Sequence, residues 1–365
     1  VPVQLNRFYT DKDVLTRARE RVSLVFDNFE NIVVSVSSGK DSTALYWLSV
    51  QEAERRGRRI KVFFLDQEAE YQSSISLIEN MMIHPSVVPL WYQVPIYLTN
   101  ATSYKQDMLY AWGVGEKWMR EKSSMAVHEI KGKYPERFYG FFNWMERNNE
   151  NTAFLVGLRS EESLNRLRAV ILHPGWNSVL WSTKTAGKRT HRFYPIYDWG
   201  MGDVWKFIND SGVPYNAIYD KMFRANKNYY KTMRVSNLIH EKSFKVVADL
   251  QVYEPDTFNR LVERISGVHV ASIYATEKSV FDANKLPEHF NTWLSFRDYL
   301  LETSPLKNKE RFIRRFESQT KDEEMCRRQV RQLLLNDHEN NLGVHVNKSK
   351  NNKKADILKK WWDIL

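Results

Sequence analysis

The sequence predicts an α/β protein: a mostly parallel sheet with flanking helices, followed by an α-helical C-terminal region. Three observations carry that expectation. Within residues 31–65 a β-branched apolar run, a Ser/Gly-rich turn, a helix-spaced segment and a second apolar run follow one another. A third apolar run stands at residues 153–158, and from about Asp198 onward apolar positions fall at helical spacing.

Asn31-Ile32-Val33-Val34-Ser35-Val36 has the length and branching of a buried strand. Ser37-Ser38-Gly39-Lys40-Asp41-Ser42-Thr43 is the turn into a helix, on which Ala44, Leu45, Trp47, Leu48 and Ala53 share a face before Gly57 stops it. Ile60-Lys61-Val62-Phe63-Phe64-Leu65 is the second strand and ends at Asp66. Strand, helix and strand make one right-handed βαβ unit. Ala153-Phe154-Leu155-Val156-Gly157-Leu158 is the third strand, and it too ends in a polar cluster, Arg159-Ser160-Glu161-Glu162-Ser163. Ligands of open parallel sheets sit beyond the carboxyl ends of the strands, so these polar ends point toward one site. Val204, Phe207 and Ile208 precede Gly212 on a helix, and further helices are expected near 257–266, 269–282, 288–302 and 307–336. The expected domains are an α/β domain at residues 1–225, a helical domain at 226–342, and a basic, partly mobile tail at 343–365 that ends near Trp361 and Trp362.

The 365 residues suffice for a large core, and 12 Trp, 18 Tyr and 19 Phe exclude a mainly disordered chain. A single cysteine excludes a disulfide framework, a Cys-x-x-Cys pair and a zinc ribbon held by this chain alone. That usage, with no signal-peptide pattern and no apolar run near the ~20 residues of a membrane span, gives a cytoplasmic expectation with no membrane partner. No histidines stand at metal-ligand spacing.

Residues 37–43 carry the strongest chemical signal. Small residues between a strand and a helix let backbone N–H groups approach an anion, and the helix start adds partial positive charge. Ser37, Ser42 and Thr43 offer hydroxyl donors and Lys40 a point charge. A Walker A loop ending at Lys40 would need glycine in place of Val34 and Ser or Thr in place of Asp41, so this is a different phosphate cradle.

Ser37-Ser38-Gly39-Lys40-Asp41-Ser42 resembles the PP-loop, Ser-Gly-Gly-x-Asp-Ser, of the ATP pyrophosphatase superfamily, with Ser38 in place of the first glycine. Leu65-Asp66-Gln67-Glu68-Ala69-Glu70-Tyr71 and Gly157-Leu158-Arg159-Ser160-Glu161-Glu162-Ser163, the latter with Arg166 and Arg168, are similar to segments of phosphoadenosine phosphosulfate (PAPS) reductases. So are Tyr194-Pro195-Ile196-Tyr197-Asp198-Trp199 and Val213-Pro214-Tyr215-Asn216. With His84-Pro85-Ser86-Val87 and Val235-Ser236-Asn237-Leu238, the texture of most of residues 18–340 resembles the bacterial IbrA/YbdN-like proteins, which join a PAPS reductase-like domain to a helical region.

This resemblance implies an adenine nucleotide alpha-hydrolase-like fold, binding of ATP or a PAPS-like sulfonucleotide with Mg²⁺, and an AMP-forming enzyme that releases pyrophosphate. It extends to sulfur transfer or DNA phosphorothioation. The alternative is a nucleotide-gated regulatory module that binds DNA, RNA or a ParB/sulfiredoxin-like partner with little turnover. On that reading Lys40, Asp41 and Arg159 are the catalytic candidates. The nucleotide contacts are Ser37, Ser38, Gly39, Lys40, Asp41, Ser42, Thr43, Asp66, Gly157, Arg166 and Arg168, with Asp41 and Asp66 as magnesium ligands. Glu68 and Glu70 read as a solvated acidic edge. Sulfite-forming reductases use a C-terminal cysteine beside a glycine, whereas the one thiol here, Cys326, sits in Glu324-Met325-Cys326-Arg327 on an expected helix and reads as a packed residue. Reductase activity is therefore not expected. Lys227, Tyr229, Tyr230, Lys231 and Arg234 form a basic-aromatic cluster suited to nucleic acid or a nucleotide tail, and the net charge of +10 favours an acidic partner.

Overall fold

The structure is a computed structural model that describes residues 11–103, 106–171, 175–225, 233–239, 244–274, 283, 285–304, 309–337 and 340. The chain divides into two compact units, one of Val1–Tyr97 with Tyr110–Asn237 and the other of Leu98–Leu109 with Leu238–Leu365.

The first unit is built on a six-stranded sheet of order β3-β2-β1-β6-β8-β7. Its strands are β1 (Asn31–Ser35), β2 (Ile60–Leu65), β3 (Val87–Tyr92), β6 (Thr152–Val156), β7 (Ser182–Lys184) and β8 (His191–Phe193). All neighbours are parallel except β7, which runs antiparallel to β8 at the edge. β4 (Ile96–Thr99) and β5 (Met108–Ala111) form a separate two-stranded sheet.

Alternation along the strands assigns the two faces. Ile32 and Val34 of β1 and Ile60, Val62 and Phe64 of β2 pack into one apolar cluster with α1 (Val14–Asn28), α2 (Lys40–Arg55), α3 (Gln72–Met82) and α6 (Met201–Ser211). On the opposite face Phe63 and Phe154 meet Phe141 and Phe142 of α4 (Phe138–Arg147). Helices on both faces bury both sides of a parallel sheet, which is why its strands read as near-continuous apolar runs. Gly57 (φ +62°) and Gly212 (φ +59°) take the left-handed turns that follow α2 and α6.

From β1 the chain crosses to β2 on one side, and later returns to β6 on the other. The carboxyl ends of β1 and β6 therefore flank a topological switch point, the position where such sheets take ligands.

In the second unit the described elements after Leu238 are helices: Phe244–Tyr253, Pro255–Arg264, Val268–Tyr274, Trp293–Thr303, Lys309–Glu317 and Glu323–Leu334. The single helix expected over 307–336 is two, because Asp322 accepts from the Met325 amide and caps a new start. Gly267 (φ +91°) is required within this unit, since a Cβ there would stand 2.3 Å from the Thr102 carbonyl oxygen. Among the described residues no helix is long and apolar enough to cross a membrane.

Candidate functional site

The site grows from the end of β1. The Val36 amide still bonds to the Phe63 carbonyl, after which the backbone leaves the sheet. Ser38 turns it with φ +56°, Gly39 caps α2 from extended backbone, and the helix starts at Lys40. No side chain caps this start. Among the described residues no acceptor meets the amides of Ser38, Gly39, Asp41 or Ser42. The first-turn amide that is bonded, that of Lys40, donates to the Tyr219 hydroxyl at 3.0 Å. Four free donors at the start of a 16-residue helix leave the N-terminus of α2 uncapped, the arrangement that suits an anion.

The hydroxyls divide by where their protons go. Ser42 Oγ and Thr43 Oγ1 donate to the Gly39 carbonyl at 2.9 and 3.0 Å. Ser42 Oγ also accepts from the Ser37 amide at 3.1 Å. Its proton being committed to Gly39, its 3.2 Å contact with Ser37 Oγ must be donated by Ser37. The expected donors Ser37, Ser42 and Thr43 thus close the loop upon itself in this state. Ser38 Oγ, in a residue 1% exposed, has no partner among the described residues. A left-handed residue with a Cβ costs about 1–2 kcal/mol, and a buried unpaired hydroxyl about 1–3 kcal/mol.

Charged groups continue the site toward β6. Asp41 binds Lys40 Nζ through Oδ2 at 3.0 Å and Arg159 Nε through Oδ1 at 2.6 Å. Arg159 is 2% exposed and also reaches Glu161 at 3.1 Å and the Trp199 carbonyl at 3.4 Å. Burial pulls the Lys40 ammonium below its ordinary pKa; the Asp41 carboxylate opposes that shift, and Arg159 and Arg234 add to it. Gly157 makes this proximity achievable. A Cβ on it would lie 2.8 Å from the Ser42 nitrogen and 2.9 Å from the Asp41 carbonyl carbon and oxygen.

Ser37 through Thr43, Gly157 and Arg159 therefore meet at the carboxyl ends of β1 and β6. Arg166 is paired with Glu162 and its side chain is 44% exposed; partial desolvation first, then the fields of Arg234 and Arg159, lower its pKa against the pull of Asp41. Arg168 is half-buried on α5 (Leu164–Ile171) and, among the described residues, joins none of these contacts. Asp66 departs most from expectation. It is fully buried, and its oxygens receive the Glu68 amide (2.9 Å), Trp91 Nε1 (3.0 Å), Gln93 Nε2 (2.9 Å) and Arg120 (2.6 Å). Four donors, the Arg120 guanidinium among them, fill the carboxylate in this structure, so Asp66 is engaged by the protein's own groups and lies away from the Asp41 pair where a metal contact was expected of it. Asp41, with a cation on each oxygen, does not fit a resident metal either, and among the described residues no group of three His, Cys, Asp or Glu side chains is arranged to hold one.

Glu68 and Glu70 are also buried rather than a solvated edge. A segment far along the chain covers them: the amides of Trp112 and Met119 bond Glu68 at 2.9 and 3.1 Å, and Trp112 Nε1 bonds the Asp66 carbonyl at 2.9 Å. Burial, with Asp66 adding to it, pushes the Glu70 carboxyl up to about 8, and Arg120 opposes the shift.

Two residues of the site were not candidates in the sequence. Tyr219, of the helix Ile218–Arg224, is buried beside Lys40. Asn216 reaches the Ser38 carbonyl (3.4 Å) and Ser74 Oγ (2.9 Å) while accepting from the Ile218 amide (3.0 Å). Both fall in or just after the Val213–Asn216 block, whose role as a buttress needed the fold. Cys326 is fully buried, 3.9 Å from an Arg297 nitrogen, and burial raises its pKa. Lys227, Tyr229, Tyr230 and Lys231, and the tail at 343–365, lie outside the described residues; Arg234 is exposed.

A parallel sheet with an amide-lined loop at its switch point defines a PP-loop nucleotide-binding domain. The sequence profile of the phosphoadenosine phosphosulfate reductase domain matches residues 31–226, more than half of the chain, and the chain belongs to that family. A domain of unknown function, DUF3440, matches residues 229–357. The uncharacterized protein YbdN of Escherichia coli (strain K12) is 27% identical over 329 residues, covering 86% of this chain and 79% of its own. An adenosine 5'-phosphosulfate reductase of Neisseria meningitidis is 32% identical over 71 residues, 20% of this chain and 25% of that protein. Among solved structures, a PAPS reductase from Candida auris in a phosphate complex covers 59% of this chain and 93% of its own at 12% identity, with a TM-score of 0.30.

Proposed function

We propose that the chain binds ATP through the loop Ser37–Ser42 and cleaves it at the α-phosphorus, releasing pyrophosphate. The observation that carries this reading is the unoccupied donor set: four free amides and a buried unpartnered hydroxyl at one helix start, beside Lys40. Buried donors are ordinarily satisfied, and a pyrophosphoryl group supplies the acceptors this set lacks. With the β- and γ-phosphates held there, the α-phosphorus lies on the side of Arg159. Attack by water, or by a hydroxyl of an acceptor, forms a new P–O bond. The bond to the bridging oxygen breaks, pyrophosphate departs with that oxygen, and the nucleophile's proton passes to solvent. Arg159, whose guanidinium Asp41 orients, offsets charge gathering on the α-phosphate. No step is assigned to a resident metal. On this reading residues 1–225 bind nucleotide and 226–342 form the helical domain.

The test is incubation of the protein with ATP in magnesium buffer and identification of products by mass. AMP and pyrophosphate, lost in Lys40→Ala, support the reading; ADP and phosphate refute it. A second reading, nucleotide-gated binding of DNA or a protein partner, is favoured by the occupied state of Asp41, both of whose oxygens hold cations. It predicts tight nucleotide binding without product, and duplex DNA binding that weakens steeply with salt.

A further inference from the structure

Three exposed rings stand past the same strand ends as the site. Phe138 and Tyr139, 37% and 67% exposed, open α4, and Phe223, 68% exposed, lies on the helix Ile218–Arg224. Residues 148–151 join α4 to β6, so α4 runs antiparallel to that strand. Phe142 packs on Phe154, and Phe141 on Phe63, which is in register with Ser35, the last residue of β1. Phe138 and Tyr139, earlier on α4, therefore stand beyond the carboxyl ends. Their rings meet edge to face with centroids 5.4 Å apart, and among the described residues neither has another ring contact. Phe223 comes from the other face of the sheet. It follows Tyr219 by one helical turn, and Tyr219 packs on Trp205 of α6 while accepting from the Lys40 amide. The cations beside these rings lack counter-charges. Arg234 is exposed, on a segment that Asn237 joins to the Gln67 carbonyl at the end of β2 (3.5 Å), and its field reaches both Lys40 and Arg166. Arg224 is exposed next to Phe223. Among the described residues no carboxylate pairs with Arg224 or Arg234, whereas Asp41, Glu161 and Glu162 hold Arg159 and Arg166.

We infer that this edge binds a single-stranded nucleic acid, its bases stacking on Tyr139 and Phe223 and its backbone phosphates meeting Arg224 and Arg234. Unpaired bases offer flat apolar faces and the backbone a repeating negative charge, the two features that exposed rings and uncompensated arginines match. A duplex keeps its base faces inside the stack and would engage the arginines alone, and an uncharged peptide would engage the rings alone. RNA and DNA single strands share the recognised chemistry. The surface adjoins the nucleotide site but does not depend on its reaction, so a strand binds whether or not ATP is cleaved.

The experiment is fluorescence polarisation with a short labelled DNA strand, an RNA strand without self-pairing and a DNA duplex of the same length, at low and at physiological salt. The proteins are wild type, Tyr139→Ala, Tyr139→Phe, Phe223→Ala, Arg234→Gln and, as an exposed cation of the second unit, Arg314→Gln, with thermal melting of each. Wild type binds at least one of the single strands more tightly than duplex, and the tighter of the two identifies the sugar. Tyr139→Ala and Phe223→Ala each lose roughly fivefold or more in affinity, the contribution of one stacked base, while melting as wild type. Tyr139→Phe keeps the ring and the affinity. Arg234→Gln lowers the slope of log affinity against log salt by about 0.7, and Arg314→Gln leaves binding as in wild type. Duplex bound as tightly as both single strands, unchanged affinity in either alanine variant, or an equal loss in Arg314→Gln overturns the inference. So does a loss of ATP affinity in the two alanine variants equal to their loss of strand affinity, which gives the rings to the base of the nucleotide. A wild type that forms AMP and pyrophosphate yet binds no strand defeats this inference alone and leaves the ATP reading standing.

Discussion

Substituting Gly157 with alanine tests whether the site depends on close approach of β6 to the start of α2. The added Cβ would sit 2.8 Å from the Ser42 nitrogen and 2.9 Å from the Asp41 carbonyl atoms, about half an ångström inside ordinary van der Waals contact. All three obstructing atoms are backbone, so no rotamer change relieves the overlap. Overpacking of this kind costs roughly 1–3 kcal/mol. The displaced atoms are the first helical turn itself, so stability and anion binding should fall together. Gly39→Ala is the matched comparison. Its Cβ would meet Ser37 Oγ at 3.4 Å and Tyr219 Oη at 3.8 Å, both ordinary contacts, and its backbone already lies at φ −74°. That variant should fold as wild type and lose nucleotide affinity, because its methyl group fills space a phosphate needs. Urea unfolding gives the stability change and titration with ATP gives the binding. A Gly157→Ala protein with an unchanged urea midpoint, or a Gly39→Ala protein that binds ATP as wild type, would refute the reasoning about what these two glycines are for.

Three further outcomes follow from the charge pairs. Asp41→Asn leaves Lys40 and Arg159 buried without their shared counter-charge and should cost about 3–5 kcal/mol in urea unfolding; phosphate or ATP in the buffer should restore part of it, and a loss below 1 kcal/mol would deny the pair its role. Glu70, raised to about 8 in the fold from an ordinary 4.5, binds its proton more tightly folded than unfolded. Its contribution to stability is therefore full below pH 4.5 and declines as pH rises toward 8, by about 1.4 kcal/mol per pH unit; Glu70→Gln should remove that slope from the stability profile of wild type. Arg120→Ala leaves Asp66 buried without its cation and untethers the cover over the end of β2, so amide exchange over residues 112–123 should quicken well before global unfolding.

The strands and the loop were legible because their signals are local. β1, the cradle, α2 and β2 occupy one continuous stretch of sequence, and the periodicity that marks each is complete within it. Arg159 was legible for a related reason: it follows a strand directly, and a residue just past a carboxyl end in a parallel sheet has few places to go. What escaped depended on residues distant in sequence. Nothing between Asp66 and Tyr71 announces burial, since the groups that bury Glu68 and Asp66 come from Trp112, Met119 and Arg120 in a stretch without periodicity. Tyr219 stands 179 positions from the amide it accepts from. The present partners of Ser37, Ser42 and Thr43 were hidden for a finer reason. Residue type shows that a hydroxyl has a proton to give, and only geometry shows whether it has been given to Gly39.

The burial of Asp66 also narrows where a ligand can sit. Three strand ends rich in polar residues suggested one shared site, yet the end of β2 is filled by its own chain. Asp66 holds Trp91, Gln93 and Arg120, Glu68 holds two amides of the covering segment, and the indole of Trp112 lies under the Arg120 guanidinium at 4.9 Å. A ligand placed there would have to displace several charge-assisted hydrogen bonds that are already desolvated, at a cost of about 1.5–3 kcal/mol each. At the ends of β1 and β6 the balance is the reverse, because the donors are present and their acceptors are not. An anion arriving at that point gains bonds without breaking any except the contact between Lys40 and Asp41, which a phosphate oxygen can replace charge for charge. One strand end is closed by internal pairing and the other is left with a surplus of donors, and on the proposed reading that difference favours the β1–β6 side for a ligand.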